Sequence, residues 1–215
     1  MFLLTYSVSN KADFNQAKFS NEANFYRAEF SKEAYFNSAT FYGEEADFRS
    51  ATFYGEEADF RSATFSKTTR AGFSSATFSK KTRAYFNSAT FYGEAFFDSA
   101  TFSGVAFFDS ATFSGVADFN SATFSGTGFS SATFFKIVHF SSATFSELVY
   151  FSSATFYGEA FFDSATFSKP VYFNLATFYK LAYFSSANFK SSAKFNDIKF
   201  LDKADFYNAI FIYSH

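Results

Sequence analysis

The chain of 215 residues has no cysteine and no tryptophan, and only one proline and one methionine. Without cysteine there is no disulfide framework, no cysteine-ligated zinc or iron–sulfur centre and no thiol catalysis, although the redox compartment stays open. Long apolar runs are missing too, since none approaches the roughly 20 residues of a membrane-spanning helix. The apolar start, Met1 to Leu4, is followed at once by polar residues, which is not typical of a secretory signal. We therefore expect no membrane contact and a cytoplasmic location.

Charge of either sign is scarce as well. The chain carries 18 Lys and Arg against 20 Asp and Glu, a formal net charge of −2. Proteins that bind nucleic-acid phosphates usually show a basic excess, so we expect no direct contact with nucleic acid. A hydrophobic fraction of 48% excludes disorder, because such a chain buries too much apolar surface to stay open.

Phenylalanine is present in large excess, at 41 residues. From Phe14 to Phe211, 36 of them recur at intervals that alternate between five and, in most cases, six residues. Alanine stands two positions before 31 of these 36. The exceptions are Thr127, Val138, Val149, Val171 and Ile198. The chain is therefore a repeat from end to end, which has to be recognised before any other feature is interpreted.

A spacing of two places Ala and Phe on the same side of an extended segment, because strand side chains alternate between faces. The Ser, Thr, Asn and Gly residues between the pairs disfavour a helix. Each step is thus predicted to be a short strand with Ala and Phe facing inward, followed by a turn. Successive turns build a coil, and successive coils stack with like residues in ladders.

The motif in Ala12-Asp-Phe14-Asn-Gln and Ala17-Lys-Phe19-Ser-Asn resembles the pentapeptide-repeat proteins. That resemblance implies an all-β fold, a right-handed quadrilateral β-helix with four faces per coil. Because every second step is lengthened, we expect about 22 residues per coil and about nine coils. We assign residues 1–11 to a lead-in or cap, 12–211 to the β-helix and 212–215 to a tail. Six glycines are expected to supply backbone freedom at the corners: Gly43, Gly55, Gly93, Gly104, Gly115 and Gly158.

Four steps of seven or eight residues mark enlarged corners, two of them acidic and the next two basic. Two interpretations stay open: solvated loops of complementary charge, or loops that dock a partner, since loops on a rigid scaffold commonly carry binding. The charged residues are Glu44, Glu45, Glu56, Glu57, Lys67, Arg70, Lys80, Lys81 and Arg83.

The position before the inward Phe faces outward. In half of the steps from Thr40 to Thr177 it is Thr, which predicts two Thr rows on opposite faces. In the other steps it is often aromatic, and we take these residues as candidates for partner binding: Tyr85, Phe96, Phe107, Tyr150, Phe161, Tyr172 and Tyr183. They form either exposed stripes for a protein partner or ladders stacked in solvent. Of the five Phe outside the repeat, Phe96, Phe107, Phe135 and Phe161 are expected to face outward.

Catalysis is not expected. The histidines, His139 and His215, have no credible partner residues, and a packed solenoid offers no concave pocket. Asp98, Asp109 and Asp163 share one repeat position but alternate between faces, so no metal site follows. No phosphate loop or EF-hand pattern occurs, and we expect no cofactor.

The sequence therefore predicts a non-catalytic structural or protein-interaction scaffold with a protein partner. A homodimer through the apolar C-terminal coil is a further hypothesis, because bare solenoid ends invite pairing. One alternative, implied by the resemblance, is mimicry of duplex DNA towards a type II topoisomerase. Residues 84–135 carry a charge of −4 from Glu94, Asp98, Asp109 and Asp118, which gives this alternative weak support. A minor alternative is ice binding through the Thr rows.

Overall fold

The computed structural model of the chain describes residues 2–3 and 7–212. Within these residues the chain forms 36 short β-strands, paired in parallel, and no helix. Four strands make one coil, and the coils stack into a β-solenoid of about nine turns. The predicted fold class is confirmed.

The coil has four faces, which we number in chain order from β2 onward, so that β1 falls on face 4. Face 1 holds β2 (Ser7–Val8), β6 (Glu29–Phe30), β10 (Thr52–Phe53), β14 (Thr77–Phe78), the start of β18 (Thr101–Phe107), the start of β21 (Thr123–Gly128), β24 (Thr144–Phe145), β28 (Thr166–Phe167), β32 (Asn188–Phe189) and β36 (Ile210–Phe211). Face 2 holds β3 (Ala12–Asp13), β7 (Ala34–Tyr35), β11 (Glu57–Asp59), β15 (Arg83–Tyr85), the ends of β18 and β21, β25 (Val149–Tyr150), β29 (Val171–Tyr172) and β33 (Ala193–Lys194).

The other two faces are built in the same way. Face 3 holds β4 (Lys18–Phe19), β8 (Thr40–Phe41), β12 (Thr64–Phe65), β16 (Thr90–Phe91), β19 (Thr112–Phe113), β22 (Thr133–Phe134), β26 (Thr155–Phe156), β30 (Thr177–Phe178) and β34 (Lys199–Phe200). Face 4 holds β1 (Phe2–Leu3), β5 (Ala23–Asn24), β9 (Glu45–Asp47), β13 (Arg70–Gly72), β17 (Ala95–Phe96), β20 (Ala117–Asp118), β23 (Val138–His139), β27 (Ala160–Phe161), β31 (Ala182–Tyr183) and β35 (Ala204–Asp205).

The register follows the repeat length. On face 3, Lys18 lies opposite Thr40, and Thr40 lies opposite Thr64. Thr64 in turn lies opposite Thr90, and Thr90 lies opposite Thr112. The two partners are further apart in the sequence in the pairs Thr40–Thr64 and Thr64–Thr90 than in the pairs Lys18–Thr40 and Thr90–Thr112. The two long coils contain the four enlarged corners, so the extra residues widen corners and leave the strand register intact. The predicted Thr rows lie on faces 1 and 3, opposite each other in the order of faces.

Each five-residue step contains a turn residue whose backbone is in the left-handed region, with a positive φ. It lies two positions after the inward Phe of faces 2 and 4, and is serine at most of these positions, for example Ser110 with φ of 58°. The turn closes with a hydrogen bond in which the Ala111 amide donates to the Phe108 carbonyl at 3.0 Å. No glycine among the described residues has a positive φ. The prediction that corner glycines supply backbone freedom is therefore wrong.

Close approach of neighbouring coils explains the corner glycines instead. An added Cβ at each would lie less than 3.0 Å from backbone atoms of the preceding coil. This holds for Gly43, Gly55, Gly93, Gly104, Gly115 and Gly158. With the corner conformation unchanged, a side chain at these positions would force two hydrogen-bonded coils apart.

The inward Phe rings fill the interior as four columns, one for each face. Phe91 stacks on Phe113 with ring centroids 4.9 Å apart and planes 1° from parallel. Neighbouring columns meet edge to face, as at Phe102 and Phe108, whose centroids lie 5.9 Å apart at 83°. Both geometries are favourable for aromatic pairs. The inward Ala and Phe side chains are buried from Phe19 to Phe189, which confirms the predicted core.

The two ends of the solenoid differ. The Phe2 ring lies over the first coil, 5.6 Å from Phe14 and 5.2 Å from Phe25 between centroids. In the last coil the rings of Phe195, Phe200 and Phe206 are half-buried, and Phe211 is exposed. The boundaries at residues 12 and 212 stay predictions, and residues 213–215, with His215, lie outside the described residues.

Candidate functional site

The charged corner loops stack in two acid–base pairs. At the corner between faces 3 and 4, Glu45 lies in register with Arg70. At the corner between faces 1 and 2, Glu57 lies in register with Arg83, and their side chains are 3.3 Å apart. Arg70 pairs instead with Glu94 in the next coil, at 3.7 Å. These pairs are largely exposed, so each contributes at most about 1 kcal/mol.

The remaining loop residues line no closed site. Glu44, Glu56, Lys67, Lys80 and Lys81 are exposed. An open cavity of 660 Å³ lies between the loops of faces 3 and 4, with Glu44, Lys67 and Arg70 among its lining residues. Its walls carry both signs of charge, which favours solvated loops over a selective docking site. Partner docking through these loops stays a prediction.

Two buried threonines, which the sequence pattern does not single out, stabilise the basic loops. The Thr69 hydroxyl lies 2.9 Å from the Phe41 carbonyl oxygen and 2.6 Å from that of Gly43. Thr82 makes the equivalent contacts to Phe53 and Gly55, at 2.9 and 2.6 Å. Both threonines are almost fully buried. The Phe41 and Phe53 carbonyls already accept ladder bonds from the Ser66 and Ser79 amides, so the threonine hydroxyls serve chiefly the Gly43 and Gly55 carbonyls at the enlarged corners.

Two arginines are held by buried aspartates. Asp47 on face 4 accepts two hydrogen bonds from the Arg49 guanidinium, at 2.8 and 2.6 Å. Asp59 on face 2 holds Arg61 in the same way, at 2.8 and 2.5 Å. The Arg61 guanidinium also lies over the Tyr85 ring, 4.9 Å from its centroid. Because Asp47 forms charge-assisted bonds to it, the pKa of Arg49 is raised above its ordinary value.

The predicted outward aromatics fall into two groups. Face 2 carries a column that we call the face-2 column: Tyr85, Phe107, Tyr150 and Tyr172. Tyr85 stacks on Phe107 at 5.3 Å and Tyr150 on Tyr172 at 5.1 Å between centroids, with Gly128 between the two pairs. All are half-buried except Tyr150, which is exposed. Stacking thus covers much of each ring, as one of the two interpretations proposed.

Face 4 carries the second group. His139, Phe161 and Tyr183, which we call the face-4 column, stack with centroids 5.1 and 4.7 Å apart. Phe96 stands apart from them, because Asp118 occupies the next position on this face. Desolvation raises the pKa of Tyr183, and the charges of Glu159 and Asp163 raise it further. The Tyr183 phenol therefore keeps its proton to a higher pH than an ordinary tyrosine does.

The most exposed aromatic surface lies at the corner between faces 3 and 4. Phe135 stacks on Tyr157 at 5.1 Å, and Tyr157 on Tyr179 at 4.6 Å between centroids. Leu201 continues the line, and we call these four residues the corner column. Their exposed fractions are 47, 41, 43 and 59%, in chain order. Phe135 was expected to face outward, whereas no prediction covered Tyr157 and Tyr179, although they follow Phe135 at intervals of one coil length.

An open groove follows the corner column. It has a volume of 510 Å³, and Phe135, Tyr157 and Leu181 supply its apolar surface. Lys136, Lys180, Glu159 and Asp202 supply charge at its rim. Apolar centres with a polar rim are typical of protein–protein interfaces.

Other kinds of site have less support. No group of three His, Asp or Glu side chains that could hold a metal ion occurs in residues 2–3 and 7–212. Over the same residues there is no helix long and apolar enough to cross a bilayer.

Comparison with known proteins identifies the repeat. The family profile "Pentapeptide repeats (9 copies)" matches residues 14–64, 97–144, 129–177 and 140–188, which together cover more than half of the chain. No curated protein matches the sequence.

Two solved structures are similar over most of their length. One is trypsin-treated QnrB1, described as a plasmid-mediated fluoroquinolone resistance protein, with 14% identity, 95% of this chain and 90% of that chain covered, and a TM-score of 0.34. The other is HetL of the cyanobacterium Nostoc sp. strain PCC 7120, a pentapeptide repeat protein involved in heterocyst differentiation regulation, with 14% identity, 91% and 92% coverage and a TM-score of 0.27. At these scores neither likeness carries a conclusion about function. On the strength of the repeat match, this chain belongs to the pentapeptide-repeat family.

Proposed function

We propose that the chain is a non-catalytic scaffold that binds a protein partner through the corner column and the neighbouring face-4 column. The exposure of four side chains along one corner, three of them stacked aromatic rings, carries this proposal. The core does not need them, because the inward Phe columns already fill the interior.

The geometry of the corner column suits protein binding. Aromatic rings held at the corners of a rigid, hydrogen-bonded solenoid lose little conformational entropy when a partner covers them, and aromatic residues are enriched among binding hot spots. The repeat fixes their spacing at one coil, so a partner can meet several anchors at once. Charges of both signs at the groove rim, on Lys136, Lys180, Glu159 and Asp202, would orient the partner.

The proposal is tested by affinity capture from a lysate of the native host. The wild-type chain is compared with a triple variant, Phe135→Ser, Tyr157→Ser and Tyr179→Ser. A matched control replaces three tyrosines that are equally exposed elsewhere, Tyr42→Ser, Tyr54→Ser and Tyr92→Ser. We expect one partner to be lost from the first variant and retained by the control. Identical capture by all three chains, or no captured partner, would contradict the proposal.

We also propose that the C-terminal end pairs with a second copy of the chain. Phe195, Phe200, Phe206 and Phe211 line an open cavity of 420 Å³ at this end, and Ile210 and Ile212 beside it are exposed. A dimer would cover these groups and extend the four Phe columns.

Sedimentation velocity tests the pairing. The wild-type chain is expected to sediment as a dimer, and the double variant Ile210→Lys and Ile212→Lys as a monomer. Leu175→Lys serves as control, because Leu175 is similarly exposed but lies on the side of the solenoid. A monomeric wild-type chain at high concentration would refute the pairing.

The two alternatives have weaker support. A DNA mimic depends on a continuous acidic surface with phosphate-like charge density. Asp118 lies on face 4, Asp98 and Asp109 follow faces 4 and 2 respectively, and Glu94 is paired with Arg70. The four carboxylates thus point in several directions. Ice binding relies on the Thr rows alone, and a thermal hysteresis measurement near zero would dismiss it.

A further inference from the structure

The face-2 column has a gap of one ring. Gly128 occupies the outward position between Phe107 and Tyr150. Since coils are about 4.8 Å apart, the two rings that border the gap are separated by roughly twice that distance. The step from Phe124 to Phe129 also has five residues, where the steps from Phe102 and Phe145 at the same corner have six. The corner that is one residue shorter therefore lies in the same step of the chain as Gly128, the position that lacks an outward side chain.

The gap opens into a cavity of 430 Å³ with an apolar wall and an acidic floor. Phe107, Tyr150, Val105 and Leu148 supply the apolar wall. The Asp109 carboxylate occupies the innermost part of the gap, since an added Cβ on Gly128 would lie 2.7 and 2.8 Å from its two oxygens, and it forms the floor of the cavity that stays open outside it.

The acidic floor is fixed in place and has no basic neighbour among the residues that line the cavity. The Ser130 amide donates to Asp109 Oδ1 at 2.8 Å, and Asn87 Nδ2 donates to Oδ2 at 3.4 Å. Glu147 adds a second carboxylate at the rim. The cavity thus combines two aromatic rings with two carboxylates and lacks a cation from the described part of the chain.

At two other places in the solenoid, an arginine of the chain itself supplies the cation beside an outward carboxylate. On the same face, Asp59 binds Arg61, and the Arg61 guanidinium lies over Tyr85. On face 4, Gly72 leaves a comparable gap, and the Arg49 side chain, bound to Asp47, fills it: Arg49 Cγ would lie 3.3 Å from a Cβ on Gly72.

From this comparison we propose that the gap at Gly128 binds an arginine side chain of a partner protein. The planar guanidinium would stack between Phe107 and Tyr150 and pair with Asp109. A guanidinium suits both contacts, because it stacks on aromatic faces and binds carboxylates in a bidentate manner, whereas a lysine ammonium ion does neither as well. This inference rests on the proposed function, that of a scaffold for a protein partner, but concerns a different surface from the corner column.

The test is a titration of the ¹⁵N-labelled chain with acetyl-Gly-Arg-Gly-amide, followed by amide chemical shifts. We expect saturable shifts centred on the amides of Gly128 and Ser130. The peptide with lysine in place of arginine is expected to bind at least about fivefold more weakly. No saturable shift, or equal binding of both peptides, would overturn the proposal.

Variants locate the binding. Asp109→Asn keeps an acceptor for the Ser130 amide but removes the charge, and is expected to weaken arginine-peptide binding about tenfold. Gly128→Tyr would fill the gap and abolish binding. Should Gly128→Tyr fail to fold, Tyr150→Leu removes one ring instead and is expected to weaken binding. The control is Asp163→Asn, because Asp163 occupies the same repeat position as Asp109 but follows face 4 instead of face 2.

Each result has a defined meaning. Arginine-peptide binding that is unchanged in Asp109→Asn, or lost equally in Asp163→Asn, would refute the assignment to the gap. Failure of this titration leaves partner capture through the corner column intact, and failure of that capture leaves the titration intact, so the two proposals are tested separately.

Discussion

Replacing the corner glycine Gly115 by alanine tests the stacking of the coils. A Cβ at Gly115 would lie less than 3.0 Å from the backbone of Gly93 and Glu94 in the preceding coil. Those atoms cannot move away freely, because hydrogen bonds hold the coils together on both sides of the corner, such as that from the Ser114 amide to the Phe91 carbonyl at 2.8 Å. The added methyl group must therefore strain the ladder.

The expected cost follows from the size of the clash. Overpacking against atoms that cannot yield destabilises a protein by about 1–3 kcal/mol. For a chain of this length each kcal/mol lowers the melting temperature by about 2–4 °C. We therefore expect Gly115→Ala to melt roughly 2–12 °C below the wild-type chain, as followed by circular dichroism.

Gly126→Ala is the matched control. The nearest atoms to a Cβ at Gly126 lie 3.8 Å away or further, and its φ is not positive. Alanine is thus accommodated there, and the loss of unfolded-state freedom should stabilise the chain by about 0.4–1 kcal/mol. Equal melting temperatures for the two variants would refute the close approach of the coils.

Three further predictions concern single positions. Phe113→Ala should lower the free energy of unfolding by about 3–5 kcal/mol, as measured by urea denaturation, whereas Phe211→Ala at the exposed end should cost far less; similar losses would argue against continuous Phe columns. Thr82→Val should destabilise the chain by about 1–3 kcal/mol, because the Gly55 carbonyl loses its donor, while Thr127→Val should stabilise it, since the Thr127 hydroxyl is buried without a partner; calorimetry that gives both changes the same sign would contradict this. Ser110→Gly should stabilise the chain by about 1 kcal/mol and Ser110→Val destabilise it, because the left-handed region penalises side chains; equal melting temperatures would show that Ser110 is not in that conformation.

The repeat made the architecture predictable. A Phe every five or six residues, with Ala two positions before it, leaves one physical solution in which both side chains face inward. Strand alternation alone separates inward from outward residues. The length of the coil, the number of coils and the placement of Thr40 and Thr52 on opposite faces also need four faces per coil, which the resemblance to the pentapeptide-repeat family implied.

Details of the corners could not be predicted, because they depend on contacts between residues one full coil apart in the sequence. The sequence suggests flexible glycines. Glycine at position 115 could be required either by a positive φ or by the close approach of the neighbouring coil, and only the position of the coil beneath Gly115 distinguishes the two reasons. Serine in the left-handed region, as at Ser110, gives no signal that distinguishes it from an ordinary turn residue. The hydroxyl contacts of Thr69 and Thr82 are hidden for the same reason.

The candidate site was only partly predictable. Outward positions such as Tyr150 and Phe161 follow from alternation, but the partial burial of their rings arises from stacking on the next coil. Tyr157 and Tyr179 occupy corners, where the alternation that places strand residues does not apply. Only the fold shows that they form one column with Phe135.

All of these conclusions depend on the stacking of coils at a fixed rise, and a distance measurement tests that rise directly. Since the chain has no cysteine, Thr40→Cys and Thr177→Cys can carry the only two spin labels, six coils apart on face 3. Double electron–electron resonance should give a main distance of about 29 Å, and the pair Thr90→Cys and Thr177→Cys, four coils apart, about 19 Å. Distances that do not differ by roughly two coils, or a broad distribution without a main peak, would contradict the solenoid.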